Sequence, residues 1–178
     1  MQVFTIGHSS RSFEEFAQLL QEHRIERLVD VRSFPRSKKF PHFSQHNLVS
    51  ALQGIDIRYH HLKPLGGYRK SDLKDSPNQG WNSPGFRAYA DHMLTDEFQQ
   101  ALDALIEITS EAKTSIMCAE AVPLRCHRRL ISDTLVGLRE ISVVHILTEG
   151  LKEHRLTQFA RIEGGRVVYP KVQGSLLG

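Results

Sequence analysis

Short β-prone runs alternate with helical stretches along most of this chain, and that alternation limits the fold more than any other feature. The run at 3–6 ends at Gly7, and Ser12 with Glu15 then forms a Ser-x-x-Glu capping box for a helix presenting Phe13, Phe16, Leu19 and Leu20 on one face. A second strand is expected at 25–31, a helix at 44–53 ending where Gly54 takes a left-handed conformation, and a third strand at 55–62. Helices follow at 85–93 and 95–110, the latter with Phe98, Leu102, Leu105 and Ile106 on one side. A fourth strand at 114–118 leads through the turn 120–123 into a helix reaching about Leu138, and a fifth strand lies at 143–147. Gly164 and Gly165 separate two short runs and predict a terminal hairpin. Parallel neighbours need a crossover, and the shortest crossover is a helix. The expectation is a single α/β domain over residues 1–178, a mainly parallel, doubly wound, Rossmann-like sheet with helices on both faces and a C-terminal β-hairpin.

Composition excludes several classes. Forty per cent apolar and 24% charged residues fit neither a disordered nor a collagenous chain, and no stretch approaches the ~18 apolar residues of a membrane span. Two cysteines cannot staple 178 residues, which points to a reducing, cytoplasmic setting. The net charge of +3 does not announce nucleic acid, but Arg24, Arg27, Arg32, Arg36, Lys38 and Lys39 fall in one window and Arg125, Arg128 and Arg129 in another. The stretch 63–84, rich in Gly, Pro, Ser and Asn, is longer than an ordinary connection and reads as a functional lid or a disordered segment.

In an open parallel sheet a site forms beyond the carboxyl ends of the strands. That rule selects His8 and Ser9 after the first strand, Asp30 and Arg32 after the second, Tyr59 with the neighbouring histidines at the third, and Cys118 and Glu120 after the fourth. Asp30 and Arg32, two apart, share a face and form either an internal salt bridge or a ligand clamp. Glu120 reads as a helix cap or a general acid or base. In CAEAVPLRCHRR, Pro123 suits a first helical turn, which would place Arg125, Cys126, His127 and Arg128 in the first turns. Cations are disfavoured at that end, so their presence suggests a cradle for a phosphate, sulfate or carboxylate. Cys126 there would have a lowered thiol pKa, whereas Cys118 reads as a small buried hydrophobe or a nucleophile. No metal site is assigned: seven residues separate Cys118 from Cys126, outside knuckle spacing, and adjacent Cys126 and His127 on a helix would diverge by about 100°.

TIGHSSRSFEEF, LVDVRSFPRS, YHHLKPLGGYR, FRAYADHM and MCAEAVPLRCHRRLI together resemble the domain of unknown function 488 family over about residues 1–150, leaving 151–178 as an extension. The resemblance marks Gly7, His8, Ser9, Asp30, Arg32, Pro35, Ser37, Leu65, Gly66, Gly67, Arg69, Cys118, Glu120, Pro123, Cys126, His127 and Arg128. It implies an α/β fold with an enzyme-like pocket and no assigned reaction; the label of DNA-repair protein carried by some members points to nucleic-acid metabolism.

The resulting expectation is an intracellular enzyme acting on an anionic, phosphate-bearing substrate, a nucleotide or a nucleic-acid end. His8, Asp30, Glu120, Cys126 and His127 are the catalytic candidates, and Ser9, Arg32, Ser37, Tyr59, Gly66, Gly67, Arg69 and Arg128 are the candidates for holding the anion. Two alternatives remain open: a non-catalytic nucleic-acid or nucleotide binder using the basic loops and Phe34, Phe40, Phe43, Tyr68 and Trp81, and a rhodanese-like sulfurtransferase using Cys118. The cofactor and the oligomeric state are open, and no membrane is expected as a partner.

Overall fold

The computed structural model describes residues 1–71 and 73–171; the last seven residues of the expected C-terminal extension lie outside the described residues. Strands β1 (Gln2–Gly7), β2 (Arg27–Asp30), β3 (Arg58–His61), β4 (Thr114–Cys118), β5 (Ser142–Leu147) and β6 (Gly150–Glu153) form one sheet in the order β3-β2-β4-β1-β5-β6. The first five run parallel and β6 is antiparallel to β5. Helices α1 (Phe13–Glu22), α2 (Gln45–Gln53), α3 (Pro84–His92), α4 (Asp96–Glu111) and α5 (Arg128–Arg139) surround it, and β7 (Arg161–Glu163) pairs with β8 (Arg166–Val168) as the expected hairpin. The mainly parallel α/β class with helices on both faces holds. β4 sits between β2 and β1, unlike the common 3-2-1-4-5-6 order, and this places Cys118 at the centre of the sheet.

Strand alternation explains why both faces are covered. Phe4, Ile6, Leu28, Met117 and Ile146 point into a core with Phe16 and Leu20 of α1 and Leu48 and Leu52 of α2. Val3, Val29, Ile116 and Val143 point the other way, into a core built with α3, α4 and α5. All five residues of β4 are buried, as a central parallel strand requires. The carboxyl ends finish nearly flush, with Gly7 opposite Cys118 and Asp30 opposite both Met117 and His61.

The capping box forms as expected, with the Ser12 side chain accepting from the Glu15 N–H and Glu15 from the Ser12 N–H. Two local expectations are corrected, and one strand has no counterpart in the sequence reading. Gly54 is right-handed (φ −66°), and the left-handed residue is Asp56 (φ 59°), two positions later. The segment after Pro123 is not one helix: a 3-10 turn at Pro123–Arg125 is followed by an extended Cys126, and α5 starts at Arg128. The edge strand β6, all four residues of it exposed, carries no alternation that a sequence reading could use.

The loop at 63–84 is tied down from below. Buried Asp91 of α3 accepts from the hydroxyls of Ser71 and Ser76 and from Asn78 Nδ2 (2.8 Å), while Asn78 Oδ1 accepts from the Tyr169 N–H and Tyr169 O from the Gly80 N–H. Replacing Asp91 by Ala strands two buried donors, Ser76 and Asn78, and releases the exposed Ser71. Urea denaturation of Asp91→Ala is expected to show a loss of about 2–4 kcal/mol, with new protease cleavage confined to the 63–84 loop.

Candidate functional site

The loops after β1 and β4 are laced together at the rim of the sheet. His8 N donates to Cys118 O (3.0 Å) and Ser9 N to Ala119 O (2.9 Å), with Ser9 in the left-handed region at φ 50°. A Cβ on Gly7 would lie 1.9 Å from the Glu120 carbonyl oxygen, so only glycine lets the β4 loop cross the end of β1.

Beneath that crossing lies a sulfur pair. Cys118 and Cys126 are free and buried, with their Sγ atoms 2.7 Å apart. Arg128, 1% exposed, donates from Nε to Cys118 Sγ (3.1 Å) and from its backbone N–H to Cys126 Sγ (3.5 Å). Its remaining donors go to Thr5 Oγ1 (3.1 Å) and to the carbonyls of Glu120 and Ala121. Among the described residues no carboxylate pairs with this guanidinium. A buried cation needs an anion close by, and among the described residues the two cysteine sulfurs are the groups placed to supply one. The two thiols therefore share a low first ionisation. Burial opposes it, but the hydrogen bond from Cys118, then His127 and Arg128, hold the Cys126 thiol well below its ordinary value. Burial, with the neighbouring Cys126 sulfur, pushes the Cys118 thiol up. His127 Nε2–H donates to Val31 O (2.8 Å), which turns Nδ1 towards Cys126 Sγ at 3.5 Å.

Asp30, Arg32, Tyr59 and His8 form a second buried group. Asp30 takes Arg32 Nε (2.9 Å) and Nη2 (2.6 Å) together with the Tyr59 hydroxyl (2.8 Å). Arg32 Nη1 donates to Phe43 O (2.9 Å) and lies 3.3 Å from His8 Nε2. Most of the Arg32 donors are thus committed inside the protein. His8 stacks on Phe43 at 4.3 Å and gives its Nδ1–H to Ser9 O; burial first, and then Arg32, lower its pKa to about 4.

Two neighbouring clefts use these groups. One of about 470 Å³ is lined by Cys118, Cys126, His127, Glu120, Gly67 and Arg125, among others, and one of about 450 Å³ by His8, Ser9, Ser37, Lys39 and Glu120. Arg32, Phe34, Ala119 and Glu120 border both. Asp30, Tyr59, Gly66, Arg69 and Arg128 line neither. Arg69 is occupied with the carbonyls of Lys63, Pro64 and Gly66, and Ser37 Oγ accepts from the Phe40 N–H. The glycine loop docks on the site: Tyr68 N donates to Ser33 Oγ, and a Cβ on Gly67 would lie 2.4 Å from His127 Nδ1.

The sequence reading missed a polar chain behind Arg128. Thr5 Oγ1 donates to His145 Nδ1 (2.8 Å), His145 Nε2 to His154 Nδ1 (3.0 Å), and His154 Nε2 to Asp133 Oδ1 (2.9 Å). Asp133 also accepts from the Tyr169 hydroxyl and the Thr157 N–H. The available signal was a histidine inside a strand otherwise apolar at that end, SVVHIL, beside Thr5 on the adjacent strand.

The family model for the domain of unknown function DUF488 matches residues 12–135. The chain belongs to the DUF488 family. The matched span holds Asp30, Arg32, the glycine loop and the whole Cys118–Arg128 segment, while Gly7, His8 and Ser9 precede it. Comparison with curated proteins and with solved structures finds no match.

Cys118, Cys126 and His127 are the side chains of this DUF488 chain best placed to hold a metal, with ligand atoms within 4.8 Å of one another. The spacing argument against joint ligation fails, since Cys126 is extended and precedes the helix. The sulfurs nevertheless stand closer than the roughly 3.8 Å that two thiolates on one tetrahedral zinc require. The arrangement fits a thiol–thiolate pair better than an ion.

The neutral histidines make stability depend on pH. His8 is held down to about 4 and His145, by burial and then His154, to about 3. Unfolded, both titrate near 6.5. Between these values the unfolded chain binds more protons, so stability is complete above about 6.5 and falls as pH drops through that window. Complete protonation would cost about 3 kcal/mol at His8 and about 5 kcal/mol at His145. Chemical denaturation at stepped pH should therefore show a slope between pH 6.5 and 4 that is shallower in His145→Gln.

Proposed function

We propose that this DUF488 chain is an enzyme acting on an anionic, phosphate-bearing substrate, with the Cys126 thiolate as nucleophile. The observation that carries the reading is Arg128: a buried guanidinium whose counter-charge is a sulfur on the wall of a cleft. A protein that only needed a filled core gains nothing from burying this charge, whereas a nucleophile needs its thiolate stabilised. His127 Nδ1, 3.5 Å from Cys126 Sγ, is positioned to receive the thiol proton. Glu120 lies exposed at the rim and is the group free to exchange protons with a bound molecule.

The substrate class follows from the cleft walls. Arg125 and Lys39 offer cations that make no ion pair among the described residues, and Phe34 and Tyr68, 63% and 67% exposed with rings 5.9 Å apart, offer flat surfaces at the mouth. Cation plus exposed ring suits a nucleotide or the end of a nucleic-acid strand. Asp30, Arg32 and Tyr59 act as a rigid support, because their polar atoms are spent on each other. A non-catalytic binder would use the same rim and leave the thiolate without a task. Sulfur transfer from Cys118 would use the same pair, but Arg128 Nε and the Glu120 carbonyl already hold that sulfur. No described helix is long and apolar enough to cross a membrane, and a cytoplasmic setting would keep both thiols reduced.

The test is turnover of nucleoside phosphates and of 5′- and 3′-phosphorylated oligonucleotides, followed by mass spectrometry of products. Cys126→Ser is expected to lose at least about 100-fold in kcat, and iodoacetamide should alkylate wild-type Cys126 with a midpoint below the ordinary thiol value near 8.5. Turnover unchanged in Cys126→Ser would overturn the nucleophile. Salt-dependent oligonucleotide binding with no product from any substrate would favour the binder.

A further inference from the structure

Cys118 stands behind the proposed nucleophile with its sulfur in contact, a placement that a simple nucleophile does not need. We infer that Cys118 and Cys126 form a redox couple that exchanges with low-molecular-weight disulfides, Cys126 attacking and Cys118 resolving. The inference rests on the same thiolate as the reading above and adds a two-electron reaction to it.

Three observations carry it. The sulfurs are 2.7 Å apart, against a bond length of about 2.04 Å, so closure needs little more than side-chain rotation. Both cysteines, though buried, belong to the wall of the 470 Å³ cleft, which is the side from which a small disulfide would approach Cys126. The segment joining them, 119–125, turns once as a 3-10 helix at Pro123–Arg125 and leaves Cys126 extended, which brings the two sulfurs face to face across a short ring.

The step balances as follows. The Cys126 thiolate attacks one sulfur of RSSR, the S–S bond breaks, and RS⁻ leaves and is protonated. Cys118 gives up its proton and attacks Cys126 Sγ, breaking the mixed disulfide and expelling the second thiol. The protein loses two electrons, and the small disulfide gains them as 2 RSH.

Arg128 sets the direction. In the reduced pair its charge is met by a thiolate, and in the disulfide no sulfur is charged. Nor can the guanidinium withdraw, since Thr5 and the Glu120 and Ala121 carbonyls hold it, and Thr5 is itself anchored through His145 and His154 to Asp133. Oxidation therefore leaves a buried cation uncompensated, which favours the reduced form and makes the disulfide easily reduced.

The experiment equilibrates the full chain with stepped mixtures of reduced and oxidised glutathione, then quenches with acid and counts free thiols by mass. Wild type should pass in one transition to an intramolecular disulfide, and only in buffers rich in oxidised glutathione. Cys118→Ser should stall with one glutathionyl group on Cys126, and Cys126→Ser should react at least tenfold more slowly. Arg128→Met should shift the equilibrium at least tenfold towards the disulfide, roughly 30 mV for this two-electron couple. Thiols that stay free throughout, a wild type that stops at mixed disulfides, faster reaction at Cys118, or a folded Arg128→Met with an unchanged equilibrium would each overturn the inference. Should Arg128→Met fail to fold, the two serine variants decide it. The readout is mass, so closure without turnover of any phosphate ester keeps this inference and removes the reading above, while turnover with both thiols inert to glutathione does the reverse.

Discussion

A guanidinium buried at the start of a helix, with sulfur in place of a carboxylate beside it, is the constraint around which the rest of this structure is arranged. Arg128 sits where the positive end of α5 already disfavours a cation, and it is almost completely enclosed. Each of its donors is answered: sulfur on one side, the carbonyls of the β4 loop on another, and Thr5 at the base. The polar chain from Thr5 to Asp133 carries hydrogen bonding across the core, and its member nearest Arg128, His145, is kept neutral by burial, so it adds no charge beside the guanidinium.

The fold supplies the position. Inserting β4 between β1 and β2 brings Cys118 between the His8 loop and the Asp30–Arg32 pair, and the flush strand ends let three loops meet at one rim. Gly7 is where this could fail, because a side chain there would strike the Glu120 backbone. Gly67 plays the same part from the opposite side, making room for His127. The Asp30–Arg32 ion pair belongs to this scaffolding: nearly all its hydrogen-bonding capacity turns inward, onto Tyr59, Phe43 and the Arg32 backbone.

How much of this the sequence discloses depends on the range of the interaction. Periodicity locates the five parallel strands and five helices because alternate burial on two faces is a local pattern, as in Val3 and Phe4 of β1. The capping box is legible for the same reason. The strand-end rule gathers His8, Arg32, Glu120 and Cys118 at neighbouring clefts without any knowledge of strand order. What it cannot say is which residues face outward. Arg128 reads as an exposed anion ligand and is enclosed, and Arg69 reads as a ligand and braces its own loop. Pro123 suggests a helix start, yet the chain makes one 3-10 turn, extends at Cys126 and begins α5 five residues later, a choice imposed by contacts with Cys118 and Val31. β6 and Asp56 fail for the opposite reason, as exposed positions whose conformation is set by neighbours and not by pattern.

The basic residues at 125–129 suggested a cradle for a substrate anion, and the structure assigns part of that charge to an internal one. This bears on the proposed chemistry through charge balance. When a thiolate nucleophile becomes covalently bonded it ceases to be an anion, and Arg128 loses its partner at the moment an intermediate forms. A neutral substrate would leave the guanidinium as uncompensated as a disulfide would. A phosphate-bearing substrate would bring a replacement negative charge to the same wall, so that the proposed covalent step would exchange one counter-ion for another instead of removing it. On this argument the preference for an anion would arise less from the cations exposed at the rim than from Arg128, enclosed beside the sulfur pair.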